Sequence, residues 1–519
     1  MEVGFSFGFS WVSFALALFA IVIVRAIGRR NQTGQLPPCP RSLPIVGNLH
    51  QVFGKMPHVC FTRLANTYGP VMSLRLGQVI TIVVSSPDMA RDVFQTNDVA
   101  FSSRPVPDAI VGYVEPDCVT PQEVRESIGL AIRALGHNEC SMGWLPANQK
   151  WKNLRRICMT ELFSSQRLNA NEGLRRQKVN ELIDFVSKCC VEGRAVGIGR
   201  VASTTTLNLL SNTILSTDLV SLESESSHEF KDLVENIMEE AGKPNLADSF
   251  PWLRGLDPQG NRRRMTAHFK QIHAILDRYI DKRLQAVSEG RSSSMTNNDF
   301  LDTLLASQLE RGNMKSFLTE LFYAGSDTSS VTVEWVMAEL LRHPEVMARV
   351  RAEILEVIGS EKDVEESDIG KLKYLQAVVK ETLRMHPPAP FLLPRMAESD
   401  VELGTYTVPK GAHILVNVWA IGRDNKVWPE AHMFKPERFL DNEIDFRGRD
   451  FEFTPFGAGR RVCPGISLGY RMVHLMLASL LQRFEWRLPD GMKPETLDMS
   501  EAFGILLCMA SHLQVIPVN

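Results

Sequence analysis

From Val3 to Val24 the chain runs VGFSFGFSWVSFALALFAIVIV, apolar in most positions and without a charge. That is long enough to span the hydrocarbon core of a bilayer as a helix. A buried core helix of a soluble body would keep a polar face, which this run lacks. Val71 to Leu76 and Ile80 to Val84 are short β-rich runs on either side of Gly77-Gln78 and predict a hairpin. From about Met89 onward helical spacing dominates. The longest predicted helix runs from roughly Phe317 to Arg342 and ends before Pro344, with others over Tyr374 to Met385 and Ile466 to Phe484. Strand-like pieces return at His413 to Val418 and Leu513 to Ile516. The pattern predicts a mainly α fold with small β-sheets and no solenoid repeat.

Arg25, Arg29 and Arg30 follow the apolar run while only Glu2 precedes it, the reverse of a cleaved signal peptide. Residues 1–30 therefore read as a signal-anchor that leaves the bulk of the chain on the cytosolic side. Pro37, Pro38, Pro40 and Pro44 make residues 31–48 a stiff, proline-rich hinge. Ser221 to Ser227 and Gly290 to Asn298 read as surface loops. No shift in composition divides residues 49–519, which read as one large body. The net charge of −3 removes any global reason to expect a nucleic-acid partner. Nine scattered cysteines without a CxxC pair argue against a disulfide framework or zinc site and for a reducing compartment.

Chemistry concentrates in Phe456-Gly-Ala-Gly-Arg-Arg-Val-Cys-Pro-Gly465. Gly457 and Gly459 let the backbone turn tightly and approach a flat ligand. Cys463 lies just ahead of a predicted helix, with Pro464 suited to its first turn. A helix N-terminus favours thiolate over thiol, and a thiolate on haem iron favours O–O cleavage. The plain alternative is a glycine-rich turn around a buried cysteine. Ala324-Gly-Ser-Asp-Thr-Ser329 puts glycine and hydroxyls inside the longest predicted helix, where Gly costs about 1 kcal/mol relative to Ala. A kink or a buried polar contact would account for it. Glu381 and Arg384 lie three apart on one helix face, and Trp151 and Arg155 lie four apart on another.

The Cys463 loop resembles the cysteine-ligand loop of the cytochrome P-450 superfamily, F-x-x-G-x-R-x-C-x-G, with Phe456, Gly459, Arg461, Cys463 and Gly465 at its fixed positions. Ala324 to Ser329 resembles that superfamily's oxygen-activation groove. Glu381 and Arg384 resemble its E-x-x-R helix, Pro436-Glu-Arg-Phe439 its P-E-R-F segment, and Trp151 to Arg155 its W-x-x-x-R helix. The resemblance implies a single large haem-binding domain, haem b as cofactor and Cys463 as the axial ligand of its iron. It implies that Thr328 steadies oxygen and water and that Asp327 relays protons. Trp151, Arg155, Arg395, Arg461 and Phe456 are the implied haem-binding residues, the arginines as partners of its propionates. Glu381, Arg384 and Arg438 are the implied buried structural triad. Phe322, Ala324, Ala389, Phe391, Leu392 and Ile505 are the implied substrate contacts.

Within the superfamily the chain is similar to plant endoplasmic-reticulum enzymes that hydroxylate terpenoids, the geraniol-hydroxylase and ferruginol-synthase group. Ala241-Gly-Lys-Pro-Asn-Leu246, Asp257-Pro-Gln-Gly260 and Asp498-Met-Ser-Glu-Ala-Phe-Gly504 carry that similarity. It implies a monooxygenase that inserts one atom of O2 into a C–H bond of a small apolar substrate, with electrons from NADPH-cytochrome P-450 reductase at the endoplasmic reticulum membrane. Related enzymes also take alkaloids, phenolics and xenobiotics. A haem-thiolate isomerase or lyase, a non-catalytic haem carrier, and an inactive splice or gene-model variant are the other readings. Lys150, Lys152 and Arg156 are candidate contacts for an acidic reductase, or simply a solvated helix face. Two departures stand out. Val111 to Ile132 is an extra segment, read as a retained intron or gene-model error with a functional lid as the alternative, and Tyr323 stands where relatives carry a small aliphatic residue.

Overall fold

The computed structural model describes residues 35–110, 137–223, 229–254, 256–289, 299–307, 309–440, 442–489 and 491–518. The signal-anchor run and the extra segment Val111 to Ile132 lie outside the described residues. Among the described residues no helix is long and apolar enough to cross a membrane.

The longer helices are α1 (Pro57–Tyr68), α2 (Gln149–Ile157), α3 (Glu172–Val191), α4 (Ile198–Leu215) and α5 (Glu229–Gly242). They continue with α6 (Asn261–Ser288), α7 (Arg311–Arg342), α8 (Pro344–Val357), α9 (Lys373–Met385) and α10 (Ile466–Arg483). Helix α7 starts six residues before the expected Phe317, because Arg311 to Ser316 shows no apolar period to read. It ends where expected: Pro344 opens α8 at a position that needs no backbone N–H. Most of α7 is buried on all sides, Trp335 completely. It is the axis of the molecule, packed by α4, α5, α6, α9 and α10. Gly325 lets α4 approach closely, since a Cβ there would stand 2.8 Å from Leu210 Cδ1.

The strands are β1 (Val71–Leu76), β2 (Val79–Val84), β3 (Val196–Gly197), β4 (Arg395–Met396), β5 (Val401–Leu403) and β6 (Tyr406–Val408). After them come β7 (His413–Val416), β8 (Glu485–Arg487), β9 (Glu501–Phe503), β10 (Leu507–Met509) and β11 (Gln514–Val518). The expected hairpin is β1–β2, with Val71 opposite Val84, and Gly77 in its turn has φ +65°. The main sheet runs β1-β2-β7-β4, with β2 and β7 parallel. The small sheets are β3-β11-β8, β9-β10 and β5-β6. The strand expected to reach Val418 stops at Val416, because Asn417 caps a helical turn over Val418–Ile421 by accepting from Ala420 N. The architecture is mainly helical with small sheets at its edge.

Candidate active site

The Cys463 loop is held by its own backbone. Cys463 N donates to Phe456 O at 3.0 Å and Val462 N to Gly459 O at 3.1 Å. Gly457 and Gly459 both have φ +69°. Gly459 needs to be glycine for a second reason, since a Cβ would stand 2.2 Å from Phe94 O. Helix α10 begins at Ile466 with Gly465 as its cap, so Pro464 precedes the helix and does not occupy its first turn as expected. The Gly465 and Ile466 amides and the Arg155 charge favour a Cys463 thiolate, yet burial outweighs them and pushes the thiol pKa up. The amides at the helix start thus favour the thiolate as expected, against the opposing effect of burial. A coordinating cation would ionise it, because a metal-bound thiol is deprotonated outright.

Beside the loop lies an internal cavity of about 340 Å³ with mostly apolar walls. Cys463, Phe456, Trp151, Arg155, Arg395 and Arg461 all line it. The sequence reading missed Arg104, a fourth arginine in the same wall. The Arg461 guanidinium lies 4.6 Å from the Trp151 ring centroid, and its nitrogens donate to the carbonyls of Ser102, Met142 and Leu145. Arg155 donates to Val462 O at 2.7 Å. Arg395 donates to Ala458 O at 2.8 Å and to Asp98 at 3.2 Å. Arg104 donates to Leu393 O at 2.8 Å, and its Nε meets no hydrogen-bond partner among the described residues.

These cations sit in poor solvation. Burial, aided by the Arg461 and Arg395 charges, drives Arg104 well below the ordinary guanidinium pKa. Burial and Arg395 bring Arg461 down to about 10. The carboxylate facing them, Glu320, is itself pushed up to about 7 by burial, despite bonds from Ser141 Oγ and Met142 N. Among the described residues the wall holds four arginines and one carboxylate, and a flat apolar group carrying two carboxylates would balance it. Haem meets that description, and the donors present fit it: Cys463 for the iron and Arg104, Arg155, Arg395, Arg461 and Trp151 for the propionates.

Across the cavity from the Cys463 loop runs α7, presenting Glu320, Tyr323, Ala324, Gly325, Thr328 and Thr332, a face repeating every three to four residues. Thr328 Oγ1 donates to Ala324 O at 2.9 Å and Ser326 Oγ to Phe322 O at 2.9 Å, so the hydroxyls bond back into a helix that stays continuous. Asp327 lies beside that face and not on the cavity wall. Burial, with the Glu235 charge, pushes its carboxyl up to about 7, against a bond from Ser326 and the charge of Lys231. Lys231 and Glu235 are an ion pair on α5 at 3.1 Å, with Glu235 49% exposed.

Of the expected substrate contacts, Ala324, Ala389, Leu392 and Ile505 line the cavity. Phe322 does not: it is fully buried against Phe230 at 4.9 Å, because it lies about 200° around the helix from Ala324. Phe391 also turns away and packs on Phe61 and Phe503. Tyr323 does face the cavity, with its hydroxyl 3.4 Å from His137 Nε2, which settles which way the unusual tyrosine points. The triad assembles: Arg384 meets Glu381 at 2.7 and 2.8 Å, and Arg438 reaches Glu381 at 3.0 Å. Arg384 also donates to the carbonyls of Gly422 and Ala431.

Comparison with known proteins agrees with this geometry. The family model described as Cytochrome P450 matches residues 37–113 and 133–515, and passes over 114–132, inside the segment read as extra. Geraniol 8-hydroxylase of Catharanthus roseus is 47% identical over 507 residues, 96% of this chain and 97% of that one. Geranylhydroquinone 3''-hydroxylase of Arnebia euchroma is 45% identical over 509 residues, 96% of this chain and 97% of that one. Among solved structures, a zebra fish cytochrome P450 with progesterone superimposes with a TM-score of 0.72 at 25% identity, covering 90% of this chain and 100% of that one.

Proposed function

The chain belongs to the cytochrome P450 family and is a monooxygenase, and from that premise we propose that it hydroxylates a small terpenoid, such as a monoterpenoid alcohol, with NADPH-derived electrons. The observation that carries this reading is the mostly apolar cavity between Cys463 and the Thr328 face of α7. The similarity to relatives named for geraniol and geranylhydroquinone supports the substrate class. Bound haem b would supply the oxygen chemistry, with one atom of O2 entering a C–H bond and the other leaving as water.

The protein's own part follows from its side chains. Cys463 would hold the iron, and Arg104, Arg155, Arg395 and Arg461 would hold the propionates. Asp327, poised by burial near neutrality, takes a proton from the exposed side at Glu235 and passes it toward the Thr328 hydroxyl. Ala324, Ala389, Leu392 and Ile505 exclude water and orient the substrate. A relay of this kind has little use in an isomerase, a lyase or a haem carrier.

Electrons would arrive from NADPH-cytochrome P-450 reductase at Lys152 and Arg156, exposed on α2, with Lys150 half-buried beside them. The membrane reading gains support from a cluster of exposed apolar residues. Ile45, Phe53, Trp252 and Leu256 are 60%, 75%, 65% and 71% exposed. Their two segments meet at the β1–β2 turn, where Gly47 pairs with Leu76 and Gln78 N donates to Ser249 O. Such a patch suits the surface of the endoplasmic reticulum membrane.

The test is turnover in reductase-containing microsomes given geraniol. NADPH consumption should match hydroxylated product, and the reduced carbon-monoxide complex should show the red-shifted Soret band of thiolate-ligated haem. A normal carbon-monoxide band with neither a geraniol-induced spectral shift nor product would remove the terpenoid reading. Absence of the band would remove the haem-thiolate reading itself.

A further inference from the structure

The β9–β10 hairpin pairs only Glu501–Met509, Ala502–Cys508 and Phe503–Leu507. A two-stranded ribbon that short does not hold a position by itself. Yet its tip lines the cavity through Ile505 and Leu506. The tip is also crowded, since a Cβ on Gly242 at the end of α5 would stand 2.6 Å from Ile505 N.

At the root of the hairpin the Glu501 carboxylate, 14% exposed, gathers donors from separate parts of the chain. His58 Nε2 of α1 is 2.8 Å away and Trp419 Nε1 3.1 Å. Arg423 and His386 Nδ1 are each 3.6 Å away. Burial would raise the Glu501 pKa, but these partners hold it well below the usual carboxylate range. His386 continues the network: it stacks on Trp335 at 3.9 Å and its Nε2 meets Glu339 Oε1 at 2.7 Å. Glu339 and Trp335 belong to α7, the helix that carries Thr328.

We infer that Glu501 is a positioning residue: by anchoring the hairpin root to α1, the Trp419–Arg423 turn and the end of α9, it sets where Ile505 and Leu506 stand over the substrate. No residue of this anchor other than the hairpin itself needs to touch substrate. The inference rests on the cavity being the substrate chamber. Removing a buried charge that only stabilised the fold would loosen the molecule as a whole and leave substrate binding by the folded form unchanged. Removing a positioning charge would not.

The experiment uses the holoenzyme and its Glu501→Gln, Glu501→Asp and Trp419→Phe variants. Amide hydrogen exchange over 503–507 should quicken by about tenfold in Glu501→Gln, while α10 stays as in the parent. Glu501→Asp, which keeps the charge, should fall between. The geraniol dissociation constant, read from the haem spectrum, should rise about fivefold, while that of an azole ligating the iron directly stays within about twofold. Exchange at 503–507 within about twofold of the parent, or equal acceleration throughout the molecule, would overturn the inference. If Glu501→Gln does not assemble, Trp419→Phe removes one donor and decides by the same exchange measurement. If geraniol does not bind the parent, the terpenoid reading fails, and hydrogen exchange still judges Glu501.

Discussion

Asp327 is a carboxyl whose charge the fold disfavours, since burial pushes it up to about 7 from an ordinary 3.8. A raised carboxyl pKa means that the folded chain binds the proton more tightly than the unfolded chain. The cost of the charged form is absent below about pH 4, grows as pH rises and is complete above about pH 7. Asp327→Asn carries no charge to bury, so its melting temperature should gain on the parent's between about pH 4 and about pH 7. The same variant should lose hydroxylated product per NADPH consumed, by roughly a hundredfold if the proton path is single. Equal pH profiles would show that Asp327 is solvated. Arg104 presents the opposite problem, a buried cation whose Nε meets no hydrogen-bond partner among the described residues. Arg104→Gln should release haem to a scavenger roughly ten- to a hundredfold faster, since one charge-assisted hydrogen bond contributes about 1.5–3 kcal/mol. The sequence announced Asp327 through its motif. Arg104 sits in a loop with no periodicity around it, so only its three-dimensional company of arginines gives it away.

At the scale of elements, helix α7 and the Glu381 triad show what could be read ahead and what could not. Fixed spacings carried over well: Glu381, Arg384 and Arg438 meet as their motifs implied. Rotation about the α7 axis did not carry over, because the apolar pattern is continuous on every side of a buried helix. Of the two α7 contacts that the resemblance implies, Ala324 lines the cavity, as does Tyr323, whereas Phe322 packs on Phe230. The early start of α7 was hidden for a related reason, since Arg311 and Lys315 are polar yet folded in through ion pairs with Asp277. The triad makes a clear prediction. Glu381→Gln would leave the fully buried Arg384 without its counter-charge, a loss of about 3–5 kcal/mol. Denaturant unfolding should register it, with a matching fall in the yield of carbon-monoxide-binding protein.

For the whole molecule, the overall class, mainly helical with small sheets, was legible because long amphipathic periods and a short hairpin survive in the primary pattern. What positions the cavity was less so, since its wall is assembled from segments as distant as Arg104, Tyr323, Leu392 and Ile505. The family match resumes at residue 133 after stopping at 113. Removing 114–132 should therefore keep the red-shifted carbon-monoxide band and raise the yield of haem-loaded protein. Loss of the band on deletion would favour a working lid over a retained intron, and sequencing the expressed message is the independent check.

The crowding of arginines along the cavity has a cellular consequence. Among the described residues the cavity wall carries four arginines and a single carboxylate, Glu320, so a bound dianion adds counter-charge there. Each tenfold rise in free haem above its dissociation constant adds about 1.4 kcal/mol to the stability of the folded form. Iron supply would then govern how long newly made copies escape degradation, so that a starved cell loses the protein itself before it loses the turnover of each survivor.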